Sequence, residues 1–186
     1  MNHRCCRKKI NLLLLALACG LVLAGCKPAA KPATPTAKPV AQAKPVTVNP
    51  INNVSTKPGL VISDIEVEGN TDPATGKNLK DHLQLTINNG TIETMTGFEV
   101  FYTMTDKKTK KSESYYQKLT GFQLGPGRAA TLHFDGGKGP GHYPENNKSI
   151  YRKSRNAVDF MVEVSCVGFQ PAPGKATKTA SSMDGL

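Results

Sequence analysis

The chain has 186 residues and a formal charge of +10. That charge is unevenly placed: residues 1–59 hold nine Lys/Arg and no Asp/Glu, residues 60–170 hold thirteen of each, and residues 171–186 hold two Lys and one Asp. The stretch long enough to fold is electrically balanced. This argues against a nucleic-acid-binding domain, which needs a cationic excess to track phosphates.

In chain order, a positive segment comes first, with Arg4, Arg7, Lys8 and Lys9 and no acid among them. An apolar run of Leu and Ala follows over 10–22, and Leu23-Ala24-Gly25-Cys26 closes it. Residues 10–25 number 16, whereas a helix needs about 20 apolar residues to cross a hydrocarbon core. The layout is that of a secretory signal, removed on export. The tetrad closely resembles the lipobox of bacterial lipoproteins. The resemblance implies that residues 1–25 are a lipoprotein signal peptide and that the Cys26 thiol is diacylglycerated. It implies cleavage between Gly25 and Cys26, and acyl chains that attach the new N-terminus to a membrane. Lys27 follows Cys26 where many two-membrane bacteria place an aspartate for inner-membrane retention, so the resemblance implies the outer membrane in such a host.

Residues 26–58 read as a disordered, lipid-anchored linker rich in Pro, Ala and Lys. The segment 27–58 holds seven of the thirteen prolines, and each of its lysines precedes one: Lys27, Lys31, Lys38, Lys44 and Lys57. Proline fixes its own φ and pushes its predecessor toward extended geometry. A stretch with no aromatic residue buries too little apolar surface to offset the entropy of folding. Its cations can serve a solvated spacer, a contact with anionic lipid or wall polymer, or resistance to trypsin-like cleavage.

Three of the five cysteines, Cys5, Cys6 and Cys19, leave with the signal. With Cys26 acylated, Cys166 alone remains in the exported region, so its fold depends on a core and not on disulfides. That region, 59–170, reads as strands. Alternation places Leu83, Leu85 and Ile87 on one face, then Phe98, Val100, Tyr102 and Met104, then Ala130, Leu132 and Phe134. The longest alternation is Val158, Phe160, Val162, Val164 and Cys166. Turn residues separate these runs at Asp72-Pro73, Asn89-Gly90, Gly125-Pro126-Gly127 and Gly136-Gly137. The pattern predicts strands near 60–68, 82–89, 97–106, 112–119, 128–135 and 157–167, with a seventh near 149–153. Short strands at this spacing predict an all-β fold, an antiparallel immunoglobulin-like β-sandwich behind the disordered tether. Residues 171–186, small and polar with two prolines, read as a disordered tail.

The stretch 83–134 resembles the small immunoglobulin-like modules of bacterial lipoproteins called FxLYD domains. The resemblance lies in Asn88-Asn89-Gly90 ending a strand, the aromatic run Phe98-Glu99-Val100-Phe101-Tyr102, a charged hairpin, and Leu124-Gly125-Pro126-Gly127 leading into an apolar strand. No Asp follows Tyr102 directly, which departs from that family's pattern. The resemblance implies a binding or structural module.

Four places invite chemistry. His133, Asp135, His142 and Glu145 lie along a glycine-rich loop and offer N/O ligands for a divalent metal, yet their spacing matches no established ligand pattern, and a strand end followed by a solvated loop accounts for them better. Asp135-Gly136-Gly137-Lys138-Gly139-Pro140-Gly141 lacks the Ser/Thr and following helix of a P-loop. Cys166 ends an apolar face, where a free thiol behaves as a small hydrophobe. Lys107, Lys108, Lys110 and Lys111, followed by Tyr115 and Tyr116, suit either a polyanion or sugar polymer, or a solvated hairpin tip whose lysines block edge pairing. The expectation is a non-catalytic envelope lipoprotein with Cys26 as its lipidation site, no cofactor, no metal and no nucleic-acid partner. It contacts the membrane through its acylated N-terminus, and an envelope protein or polymer through its sandwich. The alternative is a ligand- or metal-binding accessory of an envelope transporter or enzyme, using the loop from His133 to Glu145.

Overall fold

The computed structural model describes residues 42–67 and 83–180. Cys26, the tether over 26–41, the Asp72-Pro73 turn and the last six residues lie outside the described residues. The described residues belong to one compact unit, Lys38–Leu186.

Two sheets face each other. One holds β1 (Pro45–Val46), β5 (Ser112–Lys118), β4 (Glu99–Asp106), β8 (Val158–Ser165) and β9 (Ala172–Lys178), in that spatial order. The other holds β2 (Leu60–Glu66), β3 (Gln84–Asn89), β6 (Ala129–Phe134) and β7 (His142–Tyr143). All pairings are antiparallel except β6 with β7. Strands 2, 3 and 6 against 5, 4, 8 and 9 form the immunoglobulin-like sandwich that the alternation predicts.

The strand period decides what is buried. In β3 and β4 every second residue is buried and its neighbour half-buried. Register aligns the inward residues of β4 and β8: Val100 with Val164, Tyr102 with Val162, Met104 with Phe160. From the other sheet, Leu85, Ile87, Leu132 and Phe134 complete the core. Each such side chain contributes about 1.5–3 kcal/mol on full burial. Tyr102 stacks on Tyr115 with ring centroids 5.4 Å apart and meets Phe134 edge-on at 5.5 Å, joining the two sheets.

Three sequence expectations need correction. Residues 171–186 were expected to be a disordered tail, but Ala172–Lys178 form β9, paired with β8 from Val164↔Ala172 to Val158↔Lys178. Its inward positions are small because β2 leans over them: a Cβ added at Gly174 would lie 2.3 Å from Ile65 Cδ1. Only a strand of Ala and Gly admits that approach.

Residues 42–58 of the expected disordered linker are folded onto the sandwich. Pro45 and Val46 pair with Tyr115 and Ser114 on the edge of β5. The chain then passes along β8. Asn49 donates to Glu163 at 3.4 Å, and Asn53 Nδ2 donates to Ser165 Oγ and to the carbonyls of Cys166 and Phe169 at 2.8–2.9 Å. Residues 49, 51, 53 and 55 are half-buried, while 48, 50, 52 and 54 are exposed. Lys57 reaches Glu93 and lies over the Phe169 ring at 4.5 Å. This strap is held by polar contacts, so an apolar pattern does not reveal it.

The seventh strand expected near 149–153 is instead a single helical turn, α1 (Ile150–Lys153). It lies in the crossing from β7 to β8, and its Ile150 amide donates to the Glu113 side chain of β5, not to a strand backbone.

Candidate functional site

The densest polar construction lies where the β4–β5 hairpin meets the crossing segment 144–157. The period of β4 turns Asp106 inward, and only 4% of its surface is exposed. A bare carboxylate there would be costly, and four residues satisfy it. Lys108 and Thr109 donate backbone N–H groups at 2.9 and 2.8 Å, Asn156 Nδ2 donates at 2.9 Å, and the Ser154 hydroxyl donates as well. The Ser154 hydroxyl, then the Thr109 amide and the Asn156 side chain, hold the Asp106 carboxyl well below the usual carboxylate range. The hairpin is thereby fastened to the end of the crossing segment, and the Lys107 amide adds a bond to the Ala157 carbonyl at 2.9 Å.

The neighbouring acids are also engaged. Glu113 accepts from the Tyr115 hydroxyl at 2.8 Å and from the Ile150 amide at 3.0 Å. Glu145 takes a two-pronged contact from Arg152, at 2.7 and 3.0 Å. Asp159 accepts from Thr177 at 2.8 Å and lies 3.5 Å from Lys107. Lys108, Lys110, Lys111, Lys148 and Lys153 point into solvent, and among the described residues none of the five forms an ion pair. Between hairpin and crossing segment lies a cleft of about 420 Å³, with Asp106, Glu113, Lys111, Lys153, Arg155 and Asn156 among its lining residues. Its walls thus carry charges of both signs, with the acids engaged by the donors named above and Lys111 and Lys153 exposed.

Of the loop residues singled out in the sequence, three come together. His142 Nδ1 lies 2.9 Å from Asp135 Oδ2, and the His133 and His142 rings stack with centroids 5.0 Å apart. Glu145 does not join them, because Arg152 holds it. Among the described residues, no group of three or more His, Cys, Asp and Glu side chains is placed to hold a metal ion. The glycine-rich stretch forms a return: the Gly137 amide donates to Asp135 Oδ1 at 2.7 Å, and His142–Tyr143 then pair with His133–Phe134.

Cys166 is buried with 1% of its surface exposed, and burial pushes its thiol up to about 11. Tyr115 and Tyr116 are not the open aromatic platform that their place beside the lysines suggested. Tyr115 is buried in the core, and the Tyr116 hydroxyl donates to Glu99. The missed partners of the hairpin lysines are the cations of 148–155. Folding brings them close from about forty residues away, and no local spacing announces it.

Fold and site together define an immunoglobulin-like β-sandwich with a cationic end. No family model matches the sequence, and no curated protein matches it. Among solved structures, a protein assigned as ApaA from Bordetella pertussis is 13% identical, with 69% of this chain and 99% of that chain covered at a TM-score of 0.37. Spo0M, a sporulation control protein from Bacillus subtilis, is 11% identical, with 65% of this chain and 49% of that chain covered at a TM-score of 0.32.

Proposed function

We propose that this chain is a lipid-anchored lipoprotein of the cell envelope, and that its sandwich makes non-catalytic contacts with an envelope protein or polymer. The observation that carries the proposal is Leu23-Ala24-Gly25-Cys26 at the end of a charged, then apolar, N-terminus. Cys26 takes the lipid. Burying acyl methylenes gives about 0.8 kcal/mol each, so two or three chains make attachment durable. The cationic end supports a contact role for the sandwich, since Asp106 and Glu113 are committed to internal donors and Lys108, Lys110, Lys111, Lys148 and Lys153 are exposed.

Detergent partitioning of wild type and Cys26→Ser from cells tests the anchor. The wild type is expected in the detergent phase and the variant in the aqueous phase. A variant that stays in detergent with its N-terminus intact would make 1–25 a permanent signal anchor and overturn the reading.

A further inference from the structure

We infer that the cationic end docks against anionic lipid headgroups of the membrane that anchors the chain, which orients the sandwich with this end toward the bilayer. The inference rests on the lipid-anchor reading and deepens it.

Positive charge is concentrated at one end of the described residues. Residues 106–113 and 145–159 hold eight Lys/Arg against four Asp/Glu, whereas the other described residues hold seven against six. Two of the four acids are turned onto neutral donors. Asp106 is enclosed by Ser154, Asn156 and two backbone amides, and Glu113 by Tyr115 and the Ile150 amide. The other two offset one cation each, Glu145 pairing with Arg152 and Asp159 lying 3.5 Å from Lys107, which leaves Lys108, Lys110, Lys111, Lys148 and Lys153 outside the ion pairs of the described residues. The exposed lysines come from two separate segments, the hairpin and the crossing segment, fastened together through Asp106. Lys111 and Lys153 stand on the two sides of the cleft between these segments, and Lys108, Lys110 and Lys148 extend the charge into solvent around it.

Chain connectivity selects the partner. The first described residues lie against this same segment, where the Ala43 amide donates to the Glu145 carbonyl at 3.1 Å. Because the strap is folded onto the sandwich, only the fifteen residues 27–41 separate Cys26 from it. Fifteen residues span at most about 50 Å. Headgroups are therefore always within reach, and tethering turns weak charge contacts into an effectively intramolecular equilibrium. Each cation near an anionic surface strengthens binding about fivefold, and screening weakens the effect within a Debye length.

The test uses the chain from residue 26 with Cys26→Ser and no lipid, because the core lies wholly in the unit Lys38–Leu186. Sedimentation with phosphatidylcholine vesicles containing about one third phosphatidylglycerol should show binding that falls as salt rises, and pure phosphatidylcholine should show none. Lys108→Glu with Lys111→Glu and Lys153→Glu should weaken binding more than about a hundredfold. The charge-matched set Lys118→Glu, Arg128→Glu and Lys175→Glu should change it only a few-fold. If the reversed set fails to fold, Lys→Gln at the same three sites should still cost about fivefold per site. Three results would each overturn the inference: no binding to the anionic vesicles, equal losses in the two sets, or capture by soluble polyphosphate without capture by vesicles. No arm uses the lipid anchor, so failure here leaves the anchor reading to the partitioning of Cys26→Ser in cells.

Discussion

Cys166 follows the last residue of β8 and continues its inward run, with Val162 and Val164 before it and Phe169 after it in the core. Burial raises its thiol above the ordinary range and makes the reactive thiolate scarce. A thiol reagent should label it slowly in the native protein and at the free-thiol rate in denaturant. Cys166→Ala should cost on the order of 1 kcal/mol, a modest large-to-small loss. Burial raises its ionisation from the ordinary 9.0 to about 11, which fixes a sign. The folded state keeps a proton that the unfolded state releases. The contribution to stability is full below pH 9 and is lost as pH rises through about 11. In Cys166→Ala the alkaline limb of a stability–pH curve should be shallower across that window, and an unchanged limb would contradict the assignment. Asn89 shows another residue-scale device. Its amide donates to the carbonyls of Glu93, Leu124 and Gly125 at 2.7–3.0 Å, and its side-chain oxygen accepts from Thr91. It thus ties the end of β3 to the turn before β6, the two turn sequences that carry the resemblance to the immunoglobulin-like modules.

At the scale of elements, the strap moves the working boundary of the domain. A chain beginning at Gly59 keeps every main strand but loses Asn53, whose amide satisfies two backbone carbonyls and the Ser165 hydroxyl. Unsatisfied groups of this kind cost about 1–3 kcal/mol. The chain from Gln42 should therefore unfold at higher denaturant than the chain from Gly59, and Asn53→Ala in the longer chain should recover most of the difference. Equal midpoints for the two chains would show that the strap adds nothing. Gly59 itself, at φ +140, brings the backbone so close to Thr91 that a Cβ would lie 2.2 Å from its methyl. The strap therefore enters β2 through a position that requires glycine.

For the whole molecule, β9 closes the sandwich. It covers the outer edge of β8 and packs Gly174 under Ile62 and Ile65 of the opposite sheet. Ending the chain after Gln170 would expose the β8 edge and both isoleucines. Such an edge is a template for pairing with another chain. The shortened chain should lose its cooperative unfolding transition or sediment as aggregate. A soluble monomer with an unchanged midpoint would mean that β9 is dispensable. The crossing segment 144–157 works at this scale as well, because it carries the chain from one sheet to the other while building the cationic end.

The sequence alone determined the strands whose inward residues are large: the alternations beginning at Leu83, Phe98, Ala130 and Val158 coincide with β3, β4, β6 and β8. It also determined the burial of Cys166, because a strand's period of two fixes the face of each residue. Only the tertiary structure decided the role of β9, whose inward positions are Ala and Gly and so carry no hydrophobic period. It alone decided the strap, which is held by amide side chains on carbonyls far along the chain. It also decided the fate of the charges. Composition counts Asp106 and Glu113 as equal to Lys111 and Lys153, whereas folding turns the acids onto internal donors and leaves the lysines in water. That difference depends on which groups meet, and residues about forty positions apart meet only once the sheets have packed.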